Sequence, residues 1–247
     1  MTVALVAAAA LVAAAVQATA GIGFALVLSP AAFALLEPES AIVAVTALAI
    51  ALNLLVLFAE RRRRQVAWSE VKPFLWAAVP GAACGVVVLR ALPKPALQVT
   101  VGIAVVIAAA LRVHALRRAV PPSPGDPRGR LAVGFVSGAL QTSAGVSGPP
   151  LALWLAHRGY GPAQMRDSLG AAFLGLAVIG GLVLAPVLAA AGADIDWDAL
   201  AVGLVCVIIG HAIGSRAFAR LKGERFEPLV LAVVTAAGLA SVAAGLL

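Results

Sequence analysis

Long apolar runs separated by short polar stretches fill this chain. A helix crossing roughly 30 Å of hydrocarbon needs about 20 apolar residues. Runs of that kind predict single spans at about 41–59, 73–92, 96–113, 168–190, 199–216 and 228–247. Two further runs do not read as single spans. Residues 2–36 are too long and are interrupted at Thr19–Gly23. Residues 131–157 are interrupted at Gly145–Pro150, which leaves 149–157 too short to cross. Both runs predict hairpins of short helices meeting at a broken tip. Backbone that leaves the helix at membrane depth must be buried in protein or line a cavity, because lipid cannot satisfy its N–H and C=O groups.

The two breaks carry the same signature. Gln17-Ala18-Thr19-Ala20-Gly21-Ile22-Gly23 recurs as Gln141-Thr142-Ser143-Ala144-Gly145-Val146-Ser147-Gly148-Pro149-Pro150, 124 positions later. Trp68 pairs with Trp197, and Gly81/Gly85 with Gly210/Gly214, at a spacing of 129. A hairpin plus three crossings is an odd number of passes, so a second copy is inverted relative to the first. The pattern predicts an all-α polytopic membrane protein of two homologous, inverted halves, each a broken re-entrant hairpin plus three transmembrane helices. Residues 1–118 form the first repeat, 119–130 a Pro/Gly-rich basic linker, and 131–247 the second repeat. Inverted halves with discontinuous helices are a common plan for secondary transporters, and the broken helices mark the binding site. The apolar N-terminus ends in Ala18-Thr19-Ala20 like a signal peptide. It lacks a basic lead and runs into equally apolar sequence, so it reads as the first membrane segment.

Composition agrees. Hydrophobic residues make up 62%, charged residues 12%, and the mean hydropathy is +1.04. A soluble domain has roughly 45–50% apolar residues. The net charge of +7 would suggest nucleic acid in a soluble protein. Here the basic residues sit at the ends of apolar runs, as the positive-inside rule expects, and no nucleic-acid motif is present. If each hairpin returns to the side where it began, the loops with 5, 5, 2 and 4 basic residues share one face. That arrangement places loops 60–72, 112–130, 157–167 and 216–227 in the cytoplasm and the protein in the plasma (inner) membrane. The tetrad Arg61–Arg64 reads as a topological anchor.

The tips carry the candidate chemistry. Gly21, Gly23, Gly145 and Gly148 permit backbone close to a ligand. Pro149 suits the first turn of a new helix. A helix start directs free N–H groups and partial positive charge at the tip, which suits an anion. Thr19, Thr142, Ser143 and Ser147 add hydroxyls, and Gln17 and Gln141 add amides. Arg166 opens the sixth span beside Asp167 and could attract an oxyanion. His211, deep in an apolar span, could donate to an anion or relay a proton, and Asn53 invites the same argument. For each of these the competing role is structural: close packing by small residues, an interfacial anchor, or a histidine bonded to a neighbouring helix. All eleven carboxylates lie near segment ends, so neither a buried carboxylate relay nor a carboxylate sodium site is expected. Cys84 and Cys206 read as packing residues, with no metal-ligand spacing and no cofactor motif.

Gly134-Phe135-Val136-Ser137-Gly138 leading into Gly145-Val146-Ser147-Gly148-Pro149-Pro150, with Arg166 after a short loop, resembles the TauE/SafE-like sulfite exporter family. Gly21-Ile22-Gly23-Phe24 with Pro30 fits the first half of that pattern more loosely. The resemblance implies a permease for sulfite, sulfonates or related sulfur anions, binding a small anionic solute between the tips, embedded in a lipid bilayer, with H+ or Na+ as candidate coupling ion. Two other readings are a structural or assembly protein whose glycines only pack helices, and a membrane enzyme using His157 and His211. The latter lacks a paired histidine–carboxylate motif.

Overall fold

The computed structural model describes residues 2–20, 23–59, 64–117, 126–156, 158–191, 196–220 and 226–246. Every regular element among them is an α-helix. The first interrupted run forms α1 (Thr2–Ala20) and α2 (Phe24–Leu35). Three long helices follow: α3 (Pro38–Ala59), α4 (Trp68–Ala91) and α5 (Lys94–Arg117). The second interrupted run forms α6 (Pro127–Ala144) and α7 (Gly148–Ala156). The chain continues as α8 (Pro162–Ala191), α9 (Trp197–Arg220) and α10 (Phe226–Leu246). Among the described residues, five helices (α3, α4, α5, α8 and α9) are long and apolar enough to cross a membrane. Several helices begin a few residues before their apolar runs, and two of them, α6 and α9, start on an aspartate that accepts a backbone amide. Asp126 accepts a hydrogen bond from the Arg128 amide at 3.0 Å and Pro127 opens α6, so this helix already includes the last residues of the expected linker.

Glycines set how the helices pair. A β-carbon at Gly81, Gly85, Gly134 or Gly138 would overlap backbone across the α4–α6 contact, at Phe135, Ala139, Phe74 and Ala78 respectively. The residue numbers rise together, so α4 and α6 are parallel. Gly210 lies on Leu11 and Gly214 on Ala15, which makes α1 and α9 parallel in the same way. By contrast, α5 and α10 are antiparallel: Gly238 meets Gly102, Gly245 meets Pro95, and Ser241 Oγ donates to the Gln98 carbonyl at 2.9 Å. Such small-residue contacts let backbones approach where the solvent is lipid and hydrophobic burial gives little drive.

These directions place the ends of every helix. Alongside α4 runs α8, with the Ala67 amide on Ser168 Oγ at 2.9 Å and Gly175 against Leu75. Thus α4, α6 and α8 all begin at one end of the molecule, and the α6–α7 hairpin returns to the end where it started. Helix α3 runs alongside α9, with Gly203 against Leu48. Hence α1, α3 and α9 begin at the opposite end, and α1–α2 also returns. The helices whose connections carry 16 of the 18 basic residues all meet at the first end, here called the basic end. The packing is reciprocal: each hairpin's first helix lies on the middle long helix of the other half.

Candidate functional site

The two hairpin tips meet inside the bundle. At 1.5 Å per residue, α2 is about 18 Å long and α7 about 14 Å. Entering from opposite ends, the two hairpins overlap inside the bundle, where Gly145 packs beside Ser29 and Val45. A cavity of about 40 Å³ lies there, lined by Gln17, Gly23, Phe24 to Leu26, Ala49, Asn53, Gln141, Gly145 to Gly148, Phe173 and Ala177.

Each tip is closed by its own glutamine. Gln17 Oε1 accepts the Phe24 amide at 3.2 Å, the first amide of α2. Gln17 Nε2 donates to Asn53 Oδ1 at 3.3 Å, and Asn53 Nδ2 donates to the Ala49 carbonyl at 2.8 Å. In the second tip, Gln141 Oε1 accepts the Ser147 hydroxyl at 2.7 Å. The Gln141 Nε2 group has no partner among the described residues and Gln141 lines the cavity. Gly145 has φ +69° and ends α6 in a left-handed cap, with its amide on the Gln141 carbonyl and the Val146 amide on Leu140, both at 3.2 Å. Gly23 has φ +137° ahead of α2. Only glycine takes these conformations without strain.

The amide donors at the cavity are unequal. In the first turn of α2, the Ala25 and Leu26 amides have no intrahelical carbonyl to bond and both residues line the cavity. In α7, Pro149 and Pro150 carry no N–H, so that helix start supplies fewer donors than its position suggests.

The two ends of the bundle differ. At the basic end, Glu70 is buried and paired with Arg158, with Arg130 at 3.9 Å and the Trp154 indole N–H donating at 2.9 Å. Arg158 also stacks over Trp154 at 5.6 Å, and the Gln65 amide donates to Asp167 at 2.7 Å. This network ties the end of α7 and the start of α6 to α4. At the opposite end, the corresponding place between α1, α3 and α9 holds a cavity of about 140 Å³, lined in part by Val6, Leu36, Glu39, Val43, Asp196 and Ala199.

A family model for the sulfite exporter TauE/SafE matches residues 6–241. The chain belongs to the TauE/SafE sulfite exporter family. No curated protein matches the chain, and no solved structure does.

In this TauE/SafE member, six of the residues singled out from sequence line the tip cavity: Gln17, Gly23, Gln141, Gly145, Ser147 and Gly148. Thr142 and Ser143 are buried beside it, but their hydroxyls are engaged. Thr142 donates to the Ala82 carbonyl at 2.7 Å, which fastens α6 to α4, and Ser143 donates to Ala139 at 2.7 Å. Pro149 is in the first turn of α7, outside the cavity lining. Arg166 is exposed near the start of α8, and His211 is half-buried in α9 next to the glycines on α1; neither lines the cavity. The Thr19 side chain, Gly21, His157 and Arg61 to Arg63 lie outside the described residues. Asn53, read from sequence as a lone amide in an apolar span, also lines the cavity. One feature escaped the sequence reading. The Glu70–Arg158 pair had no sequence signal, since its partners are 88 positions apart.

Proposed function

We propose that this TauE/SafE-family protein is a secondary permease for small sulfur oxyanions, sulfite foremost, and that the tip cavity is its binding site. The single observation that carries this reading is the convergence of both broken tips on one cavity that carries Gln17, Asn53, Gln141 and Ser147. Gln17, Gln141, Asn53, Ser147 and the first amides of α2 supply neutral donors, and Gly23, Gly145 and Gly148 let backbone approach the solute. A volume of about 40 Å³ is room for roughly three water-sized groups at ~10–15 Å³ each, which suits a sulfite-sized solute.

Residues 1–118 and 131–247 then act as inverted repeats that rock around the shared cavity. The asymmetry of the ends supports this motion: the Glu70 network ties α4, α6 and α7 together at the basic end, and a cavity of about 140 Å³ lies between α1, α3 and α9 at the opposite end. Helix α3 lines both cavities, through Leu48 and then Ala49 and Asn53. By the positive-inside rule the basic end is cytoplasmic in a plasma (inner) membrane, so this conformation faces outward. Transport is driven by gradients, with a proton or sodium ion as the coupling partner, and no chemical step on the solute is required.

Sulfite flux into proteoliposomes tests this. Wild-type protein should carry sulfite, and Gln141→Ala, inserted at the same level, should lose at least about 90% of that flux, as expected from losing ~1.4 kcal/mol or more of binding. Equal flux by both proteins would refute the tip site.

A further inference from the structure

We infer that the tip cavity selects its solute by charge and carries monoanions (hydrogen sulfite or a small sulfonate) while rejecting dianions. This rests on the permease reading above and sharpens it. Among the described residues, nothing lining the cavity is charged or titratable. Residues 18–22, which connect α1 to α2 in sequence, include no charged residue. Six helices contribute to the lining: α1, α2, α3, α6, α7 and α8. Their charged residues are Glu39, Arg128, Arg130, Arg166 and Asp167, all within a few residues of a helix start. Arg130 is held by the Ser69 carbonyl and Glu70, and the Asp167 carboxylate by the Gln65 amide. None of these charged residues lines the cavity.

The energetics follow from charge alone. The cost of taking an ion out of water grows with the square of its charge, so a dianion costs roughly four times as much as a monoanion of equal size. A few neutral hydrogen bonds can hold one negative charge; a carboxylate is stabilised by two or three amide donors. The second charge of sulfite or sulfate would need a cation, and the cavity has none. Hydrogen sulfite and methanesulfonate present three oxygens on sulfur with a single charge, which matches the Gln141 side-chain amide and the first-turn amides of α2 at the cavity.

The test uses the purified full-length chain in proteoliposomes, with sulfite flux measured at fixed total sulfite across the second ionisation of sulfite. Flux should follow the hydrogen sulfite fraction, falling about tenfold per pH unit above that ionisation. Methanesulfonate, a monoanion throughout, should compete with strength independent of pH, and sulfate should compete at least tenfold more weakly, with or without sodium. The methanesulfonate arm separates monoanion selection from proton-coupled carriage of a dianion, because that anion needs no proton. Flux that rises with pH, competition by sulfate equal to methanesulfonate, or methanesulfonate competition that vanishes at high pH would each overturn charge selection and leave the permease reading standing. Absence of flux for every sulfur anion would overturn both.

Discussion

At the scale of single residues, the site depends on two glycines that hold backbone conformations and two glutamines that hold the tips. Gly145 is the clearest case. A left-handed conformation costs a non-glycine residue about 1–2 kcal/mol. Here a β-carbon would also stand 2.6 Å from Ser29 Oγ and 2.9 Å from a Val45 methyl. Gly145→Ala should therefore lower thermal stability in detergent by more than the conformational strain alone, about 2 kcal/mol or more. The same change in a Ser29→Ala background should cost measurably less, because the nearest overlapping atom is gone. Equal losses in both backgrounds would mean that Ser29 is not the obstacle. The glycines and glutamines were readable in sequence because the motif occurs twice. The engagement of Thr142 and Ser143 was not, since a hydroxyl's partner across a helix contact has no trace in the local pattern.

At the scale of helices, the breaks after α1 and α6 were legible because an apolar run that is too long, with Gly and Pro in the middle, fits no single span. Which helix lies on which was not legible. The glycines of α4 and α9 repeat at a matching interval, but only the structure shows that they receive α6 and α1 from the other half. The same holds for the end of α7, where Glu70 takes Arg158 and Trp154. Removing one partner of a buried ion pair costs about 3–5 kcal/mol. Arg158→Ala leaves Glu70 with Arg130 and Trp154, so the loss should lie near the lower end, about 3 kcal/mol. Glu70→Gln with Arg158→Ala should lose less than Arg158→Ala alone, since no unpaired carboxylate remains buried. Thermal unfolding of the three variants measures this, and a double variant no more stable than Arg158→Ala would show that the carboxylate is not what the arginine satisfies.

At the scale of the whole molecule, helices whose connections carry sixteen basic residues meet at one end, and the two returning hairpins share an uncharged cavity, which fits the proposed movement of an anion between two faces. Charge counting along the sequence gave the sidedness only on the supposition that the hairpins return. The parallel courses of α4, α6 and α8, and of α1, α3 and α9, supply that return geometrically. The central claim is that the paired tips bind a small sulfur oxyanion. Ligand-dependent thermal stabilisation of the purified protein tests it most directly, with hydrogen sulfite as ligand, acetate and chloride as controls, and Gln141→Ala alongside. A ligand at 100 times its dissociation constant stabilises by roughly 2.7 kcal/mol. Stabilisation of that order by sulfite, absent for the controls and lost in Gln141→Ala, is the predicted result. Equal stabilisation of Gln141→Ala, or no response of well-folded wild-type protein to any sulfur anion, would contradict the account.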